Sequence, residues 1–180
     1  MAELQSYLSK IGGSPLLAYA DRLEGDDLKH TMILLGGPDA NSATRRVAKR
    51  LTSNLRFGNS EINEVSIRDT SAWPTKIYGP SRLDVDNSGI DYGLILRAPN
   101  PFATDKEVVI LAGSFGHGTW AATRHVTSND FLEKSKTLRR APIECLVETD
   151  VELDTPQKIR PLLLRNFDQI SQPSSAADIA

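Results

Sequence analysis

The 180-residue chain has one cysteine, Cys145, few aromatic residues (6%) and no strong excess of either charge. A single cysteine excludes an intramolecular disulfide framework and a metal cluster built from cysteines. Twenty-one basic and 23 acidic residues leave a net charge of −2, so the whole chain offers no general attraction to nucleic acid or an anionic membrane. The longest apolar runs, Met32–Leu35 and Val108–Ala112, are far shorter than the roughly 20 residues of a membrane-spanning helix. We therefore expect neither nucleic acid nor membrane as a partner.

The first residues carry no targeting pattern. Met1–Ser6 lacks a basic stretch followed by an apolar core, so we expect no secretory signal and a cytoplasmic protein. The length suits one domain, and 39% apolar residues are too many for a disordered chain. We predict an N-terminal helical arm at 1–28, an α/β domain at 29–170 and a flexible tail at 171–180.

Leucines recur through the N-terminal arm. The pattern predicts a short helix, a turn at Gly12-Gly13 and a second helix from Ser14-Pro15, since proline suits the first position of a helix. Such an arm either packs on the domain or contacts a second copy of the chain. We expect a homo-oligomer.

A strand, a glycine-rich turn and a helix follow one another twice. Each strand is a continuous apolar run, which is typical of a strand covered on both faces. The first helix is amphipathic, with Asn41 or Ser42 as its N-cap. The two units consist of Thr31–Leu35, Gly36–Ser42 and Ala43–Leu51, then Glu107–Ala112, Gly113–Thr119 and Trp120–Val126.

The remaining predicted strands have shorter or less continuous apolar patterns. Asp91–Arg97 precedes a proline-containing turn at Ala98–Phe102, and Ala141–Val151 alternates apolar and polar residues. We also predict short strands at Val65–Ile67 and Ile77-Tyr78 and a final strand at Lys158–Phe167. Together these elements predict a Rossmann-like three-layer sandwich with a mostly parallel sheet and an antiparallel C-terminal edge.

The two glycine-rich turns are the candidate binding site. Glycine lets the backbone approach a ligand closely, and a helix N-terminus offers unpaired N–H groups and partial positive charge. If the two strands are neighbours, both turns face one crevice that suits a nucleotide-derived or phosphorylated ligand. The alternative is that both are simply tight strand-to-helix turns. The predicted ligand-binding residues are Gly36, Gly37, Asp39, Asn41, Asn100, Gly113, Ser114, Gly116, His117, Gly118 and Thr119.

Known catalytic and cofactor motifs are incomplete at these turns. Neither turn has the Gly-Lys-Ser/Thr of a Walker loop, and Gly116-His117-Gly118 lacks the third glycine of the dinucleotide fingerprint. Ser114 lacks a nucleophile-elbow context, and no histidines or cysteines have metal-ligand spacing. We predict no cofactor and no metal, and the catalytic residues stay unassigned.

The glycine segments resemble a domain of known proteins. Gly36-Gly37-Pro38-x-x-Asn41, Asn100-Pro101-Phe102 and Ala112-Gly113 through Ala121-Ala122 are similar to segments of the Rossmann-like C-terminal domain of archaeal S-layer proteins. The similarity extends over about residues 31 to 126. It implies a structural or binding role without an established catalytic residue.

A second resemblance points towards nucleotide chemistry. Gly116-x-Gly118-Thr119 is similar to the GxGTxxE core of the SLOG superfamily, which includes the lonely-guy phosphoribohydrolases and nucleotide-sensing domains. The catalytic glutamate of those enzymes falls at Ala122 here, so the resemblance implies nucleotide binding more than hydrolysis. Nucleoside deoxyribosyltransferases share a related topology, but no residue here matches their catalytic glutamate.

Three functions therefore stay open at this point. The first is a binding or sensing domain that holds a nucleotide-derived or phosphorylated molecule between the two turns. The second is a structural or protein-interaction domain that assembles through its arm. The third is an N-glycoside hydrolase or transferase that acts on a nucleoside-like substrate, with Asp91, Asp39 or His117 as acid or base.

Overall fold

The computed structural model describes residues 2–58, 65–81, 88–138 and 141–168. The predicted tail at 171–180 lies outside these residues. Four helices and eight strands make up the regular structure of the described part of the chain. In chain order they are α1 (Ala2–Lys10), β1 (Met32–Leu35), α2 (Ser42–Ala48), β2 (Leu55–Phe57), β3 (Ile67–Asp69), β4 (Lys76–Tyr78), β5 (Gly89–Asn100), β6 (Ala103–Gly113), α3 (Gly116–Val126), α4 (Asn129–Lys136), β7 (Ile143–Glu152) and β8 (Thr155–Asn166).

The strands form two sheets. Sheet A has five strands in the order β1-β6-β5-β7-β8, and sheet B has three in the order β2-β3-β4. Only β1 and β6 are parallel, whereas every other neighbouring pair is antiparallel. The prediction of a mostly parallel Rossmann-like sandwich is therefore wrong.

Connection length explains this correction. A parallel pair needs a crossover of about a dozen residues or more, whereas an antiparallel pair can be joined by about two. Only Pro101 and Phe102 separate β5 from β6, and only Leu153 and Asp154 separate β7 from β8. Leu153 and Asp154 both have positive φ, as in the tight turns that match the twist of a hairpin. Both connections therefore fold back as hairpins.

Apolar residues cover both faces of sheet A. Leu94 and Ile110 face a core shared with α2 and sheet B, and we call this side the first face. Ile95 and Leu111 face a second core that includes residues of α1, α3 and α4, and we call this side the second face. The alternation along β5 and β6 thus places successive side chains in different cores.

The N-terminal arm differs from its predicted form. The first helix is present as α1, and its Leu4 is buried against the second face. The second predicted helix is wrong, because residues 13–19 have no regular structure and only a short 3₁₀ turn follows at Ala20–Arg22. Leu16 is 94% exposed, so the middle of the arm is not packed on the domain.

A buried carboxylate attaches sheet B to sheet A. Glu144 of β7 accepts hydrogen bonds from Ser53 Oγ at 2.6 Å and from the backbone N–H of Leu55 at 3.1 Å. Arg165 of β8 donates from Nε to Glu144 at 2.6 Å and from Nη2 to Asp69 of β3 at 2.7 Å. One arginine thus joins carboxylates from both sheets.

We predict that Asp69→Asn lowers stability in a pH-dependent way. Burial alone would raise the pKa of Asp69, but hydrogen bonds from Arg165 and Ser71 outweigh it and hold the pKa below its usual value. The pKa of Asp69 is lower in the folded chain than in the unfolded chain. The Asp69 carboxylate therefore makes its full contribution to the free energy of unfolding above about pH 4, and this contribution is lost as the pH falls through the folded pKa. Urea unfolding of Asp69→Asn should show a free energy of unfolding about 1.5–3 kcal/mol lower than that of the wild type at pH 7, with a smaller difference in acid.

The control is Asp105→Asn, at an exposed pair with Lys106, which should have no measurable effect on stability. An equal loss for Asp69→Asn at every pH would contradict this assignment.

Candidate functional site

The two glycine-rich turns lie side by side. β1 and β6 are parallel neighbours, with Leu35 opposite Leu111, so both strands end at the same edge of sheet A. The Gly36 N–H donates to the Leu111 carbonyl at 2.9 Å, and a Cβ built on Gly37 would lie 3.5 Å from the Gly113 carbonyl oxygen. The condition that the sequence pattern sets for a shared site, that the two strands are neighbours, is therefore met.

The chain leaves these two strands towards opposite faces of the sheet. After β1 it enters α2, whose Ala43 and Val47 pack on the first face, and after β6 it enters α3, whose Ala121 and Ala122 pack on the second. In open α/β sheets, ligands bind at the carboxyl ends of neighbouring parallel strands whose connections leave towards opposite faces. This edge of sheet A is therefore the candidate site.

The first turn is held mainly by its own side chains. Gly36 has a φ of +98°, a conformation that other residues rarely adopt. Asn41 caps α2 by accepting the Thr44 N–H at 2.9 Å, and it donates from Nδ2 to the Leu35 carbonyl at the same distance. Asp39 is exposed. Asn41 therefore has a structural role, whereas Asp39 faces solvent.

The glycines of the second turn allow α3 to approach β5. A Cβ on Gly118 would lie 2.6 Å from the Tyr92 carbonyl carbon, and a Cβ on Gly113 would lie 2.6 Å from the Phe115 carbonyl oxygen. A side chain at Gly93 would likewise meet Val147 at 2.9 Å. These glycines are therefore required by packing, whether or not a ligand is present.

Asp91 of β5 caps the N-terminus of α3. Its Oδ1 accepts the N–H groups of Tyr92 at 2.8 Å and Phe115 at 3.1 Å, and its Oδ2 accepts that of Gly118 at 2.5 Å. Burial raises the pKa of Asp91, and the three N–H groups and His117 oppose that rise. The residue is only 2% exposed. A carboxylate of the protein thus occupies the helix end where the sequence predicts an anionic ligand.

His117 is directed at the β7–β8 turn. Its Nε2 lies 3.1 Å from both the carbonyl oxygen and Oδ1 of Asp154. Gly116 is exposed, and the Thr119 hydroxyl donates to the Phe115 carbonyl at 3.4 Å. His117 therefore has a carboxylate partner that is 37 residues away in sequence, a separation that the local pattern does not reveal.

Asn100 lies apart from the other predicted site residues. It closes the β5–β6 hairpin at the opposite end of sheet A and donates from Nδ2 to the carbonyls of Leu28 and His30, both at 2.7 Å. Its Oδ1 accepts the Phe102 N–H at 2.9 Å. The structure therefore gives Asn100 a role in connecting the hairpin to the segment before β1, and it does not bring Asn100 to the glycine turns.

A row of polar residues crosses sheet A beside the turns, and sequence analysis missed it. The Ser114 N–H donates to the Tyr92 carbonyl at 2.9 Å, Tyr92 pairs with Glu148, and Glu148 pairs with Arg160. Tyr92 belongs to the first face, so strand alternation places the row on that face. The separate residues carry no shared sequence signal, because register alone aligns them. We call Ser114, Tyr92, Glu148 and Arg160 the polar row.

Most of the polar row is already paired within the protein. Arg160 Nε donates to Glu148 at 2.9 Å, and the guanidinium also donates to Asp150. Burial raises the pKa of Tyr92 to about 12, and its hydrogen bond to Glu148 adds to the rise. The Ser114 hydroxyl, in contrast, is buried without a hydrogen-bond partner, as is the Thr44 hydroxyl on the buried side of α2.

Comparison with known proteins adds no assignment to this geometry. The chain has no match among protein-family models, curated proteins or solved structures. Among the described residues, no three His, Cys, Asp or Glu side chains are grouped as metal ligands. No helix in the described ranges is long and apolar enough to cross a membrane. The candidate site is therefore the edge of sheet A where the two glycine-rich turns meet, beside the polar row.

Proposed function

We propose that this chain binds an uncharged, hydroxyl-bearing small molecule at the carboxyl ends of β1 and β6. The observation that carries the proposal is the Ser114 hydroxyl, which has no hydrogen-bond partner. Ser114 is 5% exposed and directly follows β6 at this edge of the sheet. A buried hydroxyl without a hydrogen bond costs about 1–3 kcal/mol. A ligand that pairs with this hydroxyl would remove that cost.

The charges around this edge of sheet A favour an uncharged ligand over a phosphate. The N-terminus of α3 already interacts with the Asp91 carboxylate, and Arg160 is paired with Glu148 and Asp150. A phosphate would therefore find the α3 N-terminus and Arg160 already paired, and Asp91 would repel it. A nucleoside satisfies these conditions, and it agrees with the resemblance to nucleotide-binding domains of the SLOG superfamily.

We expect Ser114→Ala to weaken ligand binding without lowering stability. Removing a buried unpartnered hydroxyl leaves the free energy of unfolding unchanged or higher. Loss of one hydrogen bond to the ligand should raise Kd by about five- to tenfold. The measurement is thermal shift and calorimetry with nucleosides, the matching monophosphates and simple sugars. A compound at about 100 times its Kd should stabilise the wild type by about 2.7 kcal/mol.

The control for this experiment is Ser6→Ala, which removes an exposed hydroxyl from α1. It should bind every compound as the wild type does. Two results would count against the proposal: no compound in the panel stabilises the wild type, or Ser114→Ala binds as tightly as the wild type. Preference for a monophosphate over its nucleoside would retain the site but contradict the inferred ligand charge.

A structural or protein-interaction domain is the second candidate. The packing of Gly113 and Gly118 and the capping by Asp91 explain the glycine turn without any ligand. The exposed Leu16 of the arm supports assembly, whereas Leu4 is buried in the core and would be an unsuitable residue for testing it. If no ligand is found, a molar mass that rises with concentration would favour this function.

The enzymatic alternative has less support. Both oxygens of Asp91 already accept backbone hydrogen bonds, which leaves this buried carboxylate poorly suited to act as an acid or base. Asp39 and His117 are the remaining candidates, and neither has a neighbouring nucleophile among the contacts described above. Hydrolysis or transfer is therefore not proposed.

A further inference from the structure

The outward face of sheet B carries two arginines side by side. Arg56 of β2 pairs with Arg68 of β3, and Arg68 pairs with Ile77 of β4, so the three residues form one row across the sheet. Leu55, Ile67 and Tyr78, which alternate with them, are buried in the core. Arg56, Arg68 and Ile77 therefore project from the other side, and we call them the arginine row.

The arginine row lacks compensating negative charge within the described residues. Like charges directly opposite each other on antiparallel strands are destabilising. In the described ranges no carboxylate forms an ion pair with Arg56 or Arg68. Arg56 Nε donates to the neutral Ser53 carbonyl at 2.9 Å, and Arg68 Nε is buried without a hydrogen-bond partner. An external anionic group would relieve this repulsion.

Apolar residues lie on the same small sheet. Ile77 at the end of the row is 59% exposed, and Trp73, in the turn between β3 and β4, is 97% exposed. Tryptophan and arginine are enriched, together with tyrosine, among the residues that contribute most to the binding energy of protein interfaces. The combination suits a partner that brings both carboxylates and an apolar side chain.

We propose that the arginine row binds an acidic amphipathic helix of a partner protein. Neighbouring strands are about 4.8 Å apart, so the row spans about 10 Å from Arg56 to Ile77. Residues four apart on one helix face are separated by about 6 Å, and residues seven apart by about 10.5 Å. Two glutamates and a leucine at such positions can therefore face Arg56, Arg68 and Ile77. In an extended peptide, side chains on one face are about 6.6 Å apart, so successive ones would not match the spacing of about 4.8 Å between the residues of the arginine row.

Nucleic acid is a poorer fit for this surface. The row provides only two arginines, and the net charge of the chain is −2. Single-stranded nucleic acid binds along grooves with many cationic contacts and stacked aromatic residues. The short row favours a protein with one acidic face.

The test uses two designed helical peptides of about 15 residues, labelled with fluorescein. One carries glutamates at positions i and i+4 with leucine at i+7, and the other has lysines in place of the glutamates. Fluorescence anisotropy with the full chain should show at least about tenfold tighter binding of the acidic peptide. Arg56→Glu with Arg68→Glu should reverse this preference. Lys134→Glu with Lys136→Glu, the same charge change on α4, should preserve it.

A second variant serves as the control for misfolding of the double variant. Because Arg68 is partly buried, Arg56→Glu alone is measured as well, and its thermal unfolding should match the wild type. Equal binding of both peptides by the wild type, or an unchanged preference in Arg56→Glu, would overturn the proposal. Stronger binding of oligouridine than of the acidic peptide would also overturn it. So would a concentration-dependent dimer that the double variant abolishes, since it would identify a second copy as the occupant.

Discussion

Gly118→Ala is expected to destabilise the protein by about 3–5 kcal/mol. The added methyl group would meet the Tyr92 backbone, with the carbonyl carbon only 2.6 Å away, and neither backbone can yield without separating α3 from β5. The same shift would stretch the hydrogen bond from the Gly118 N–H to Asp91 and uncover a buried carboxylate. Urea unfolding followed by circular dichroism measures the loss.

Gly116→Ala is the matched control within the same turn. Gly116 is the first residue of α3, and a Cβ there would have no heavy atom within 4 Å. Replacing glycine with alanine at an unstrained helical position stabilises by about 0.4–1 kcal/mol, because the unfolded chain loses freedom. The two substitutions should therefore have opposite signs. A small effect of Gly118→Ala would mean that α3 is not packed closely on β5, and the packing explanation of the glycines would fail.

Glu144→Gln is expected to cost about 3–5 kcal/mol, because it breaks the ion pair between the fully buried Glu144 carboxylate and the partly exposed Arg165. Glu144 is completely buried, and its oxygens accept from Ser53, from backbone N–H groups and from Arg165. The amide of glutamine keeps the shape but turns one acceptor into a donor that faces other donors. At about 2–4 °C per kcal/mol, the melting temperature should fall by roughly 6–20 °C.

The consequence of Glu144→Gln should be strongest in sheet B. Amide hydrogen exchange in β2 and β3 should rise more than in β5 and β6, because Glu144 connects the β2 end of sheet B to sheet A. Glu133→Gln, at an exposed pair with Lys136 on α4, should leave both stability and exchange unchanged. A wild-type melting temperature for Glu144→Gln would show that other contacts suffice to hold sheet B.

These expectations revise the meaning of the glycine pattern. The sequence pattern predicts that Gly113 and Gly118 contact a ligand, whereas the structure shows that both are needed where α3 packs closely against β5. A glycine that lets a ligand approach the backbone cannot be distinguished in sequence from a glycine that lets a neighbouring backbone approach, since both simply lack a side chain. The contact of Gly93 on β5 with the residues after the turn distinguishes the two cases, and this contact exists only in the folded chain.

The candidate site was only partly predictable. The proximity of Gly37 and Gly113 follows from pairing two apolar strands, and it was predicted as a condition of the site. Asn100 was attributed to the same site, but antiparallel pairing places it at the far end of the sheet. The polar row was not predictable, since Ser114 and Arg160 are aligned only by register across four strands.

The sequence by itself determined most of the local structure. Apolar runs and glycine turns predicted β1, β6 and α2, and alternation predicted β7, because each of these signals depends on neighbours along the chain. The sequence left Asn41 and Ser42 as alternative N-caps of α2, and the structure shows Asn41. Composition also excluded two features. A single cysteine allows no intramolecular disulfide, so the fold is stabilised by packing, and a net charge of −2 provides no general attraction to a partner, so recognition depends on local charge. Only the tertiary structure decided the strand order and the partners of Asp91, His117 and Glu144. Apart from the N–H of Tyr92, which is adjacent to Asp91 in sequence, those partners lie 21 to 91 residues away, and contacts at such separations are selected by the packing of the whole chain.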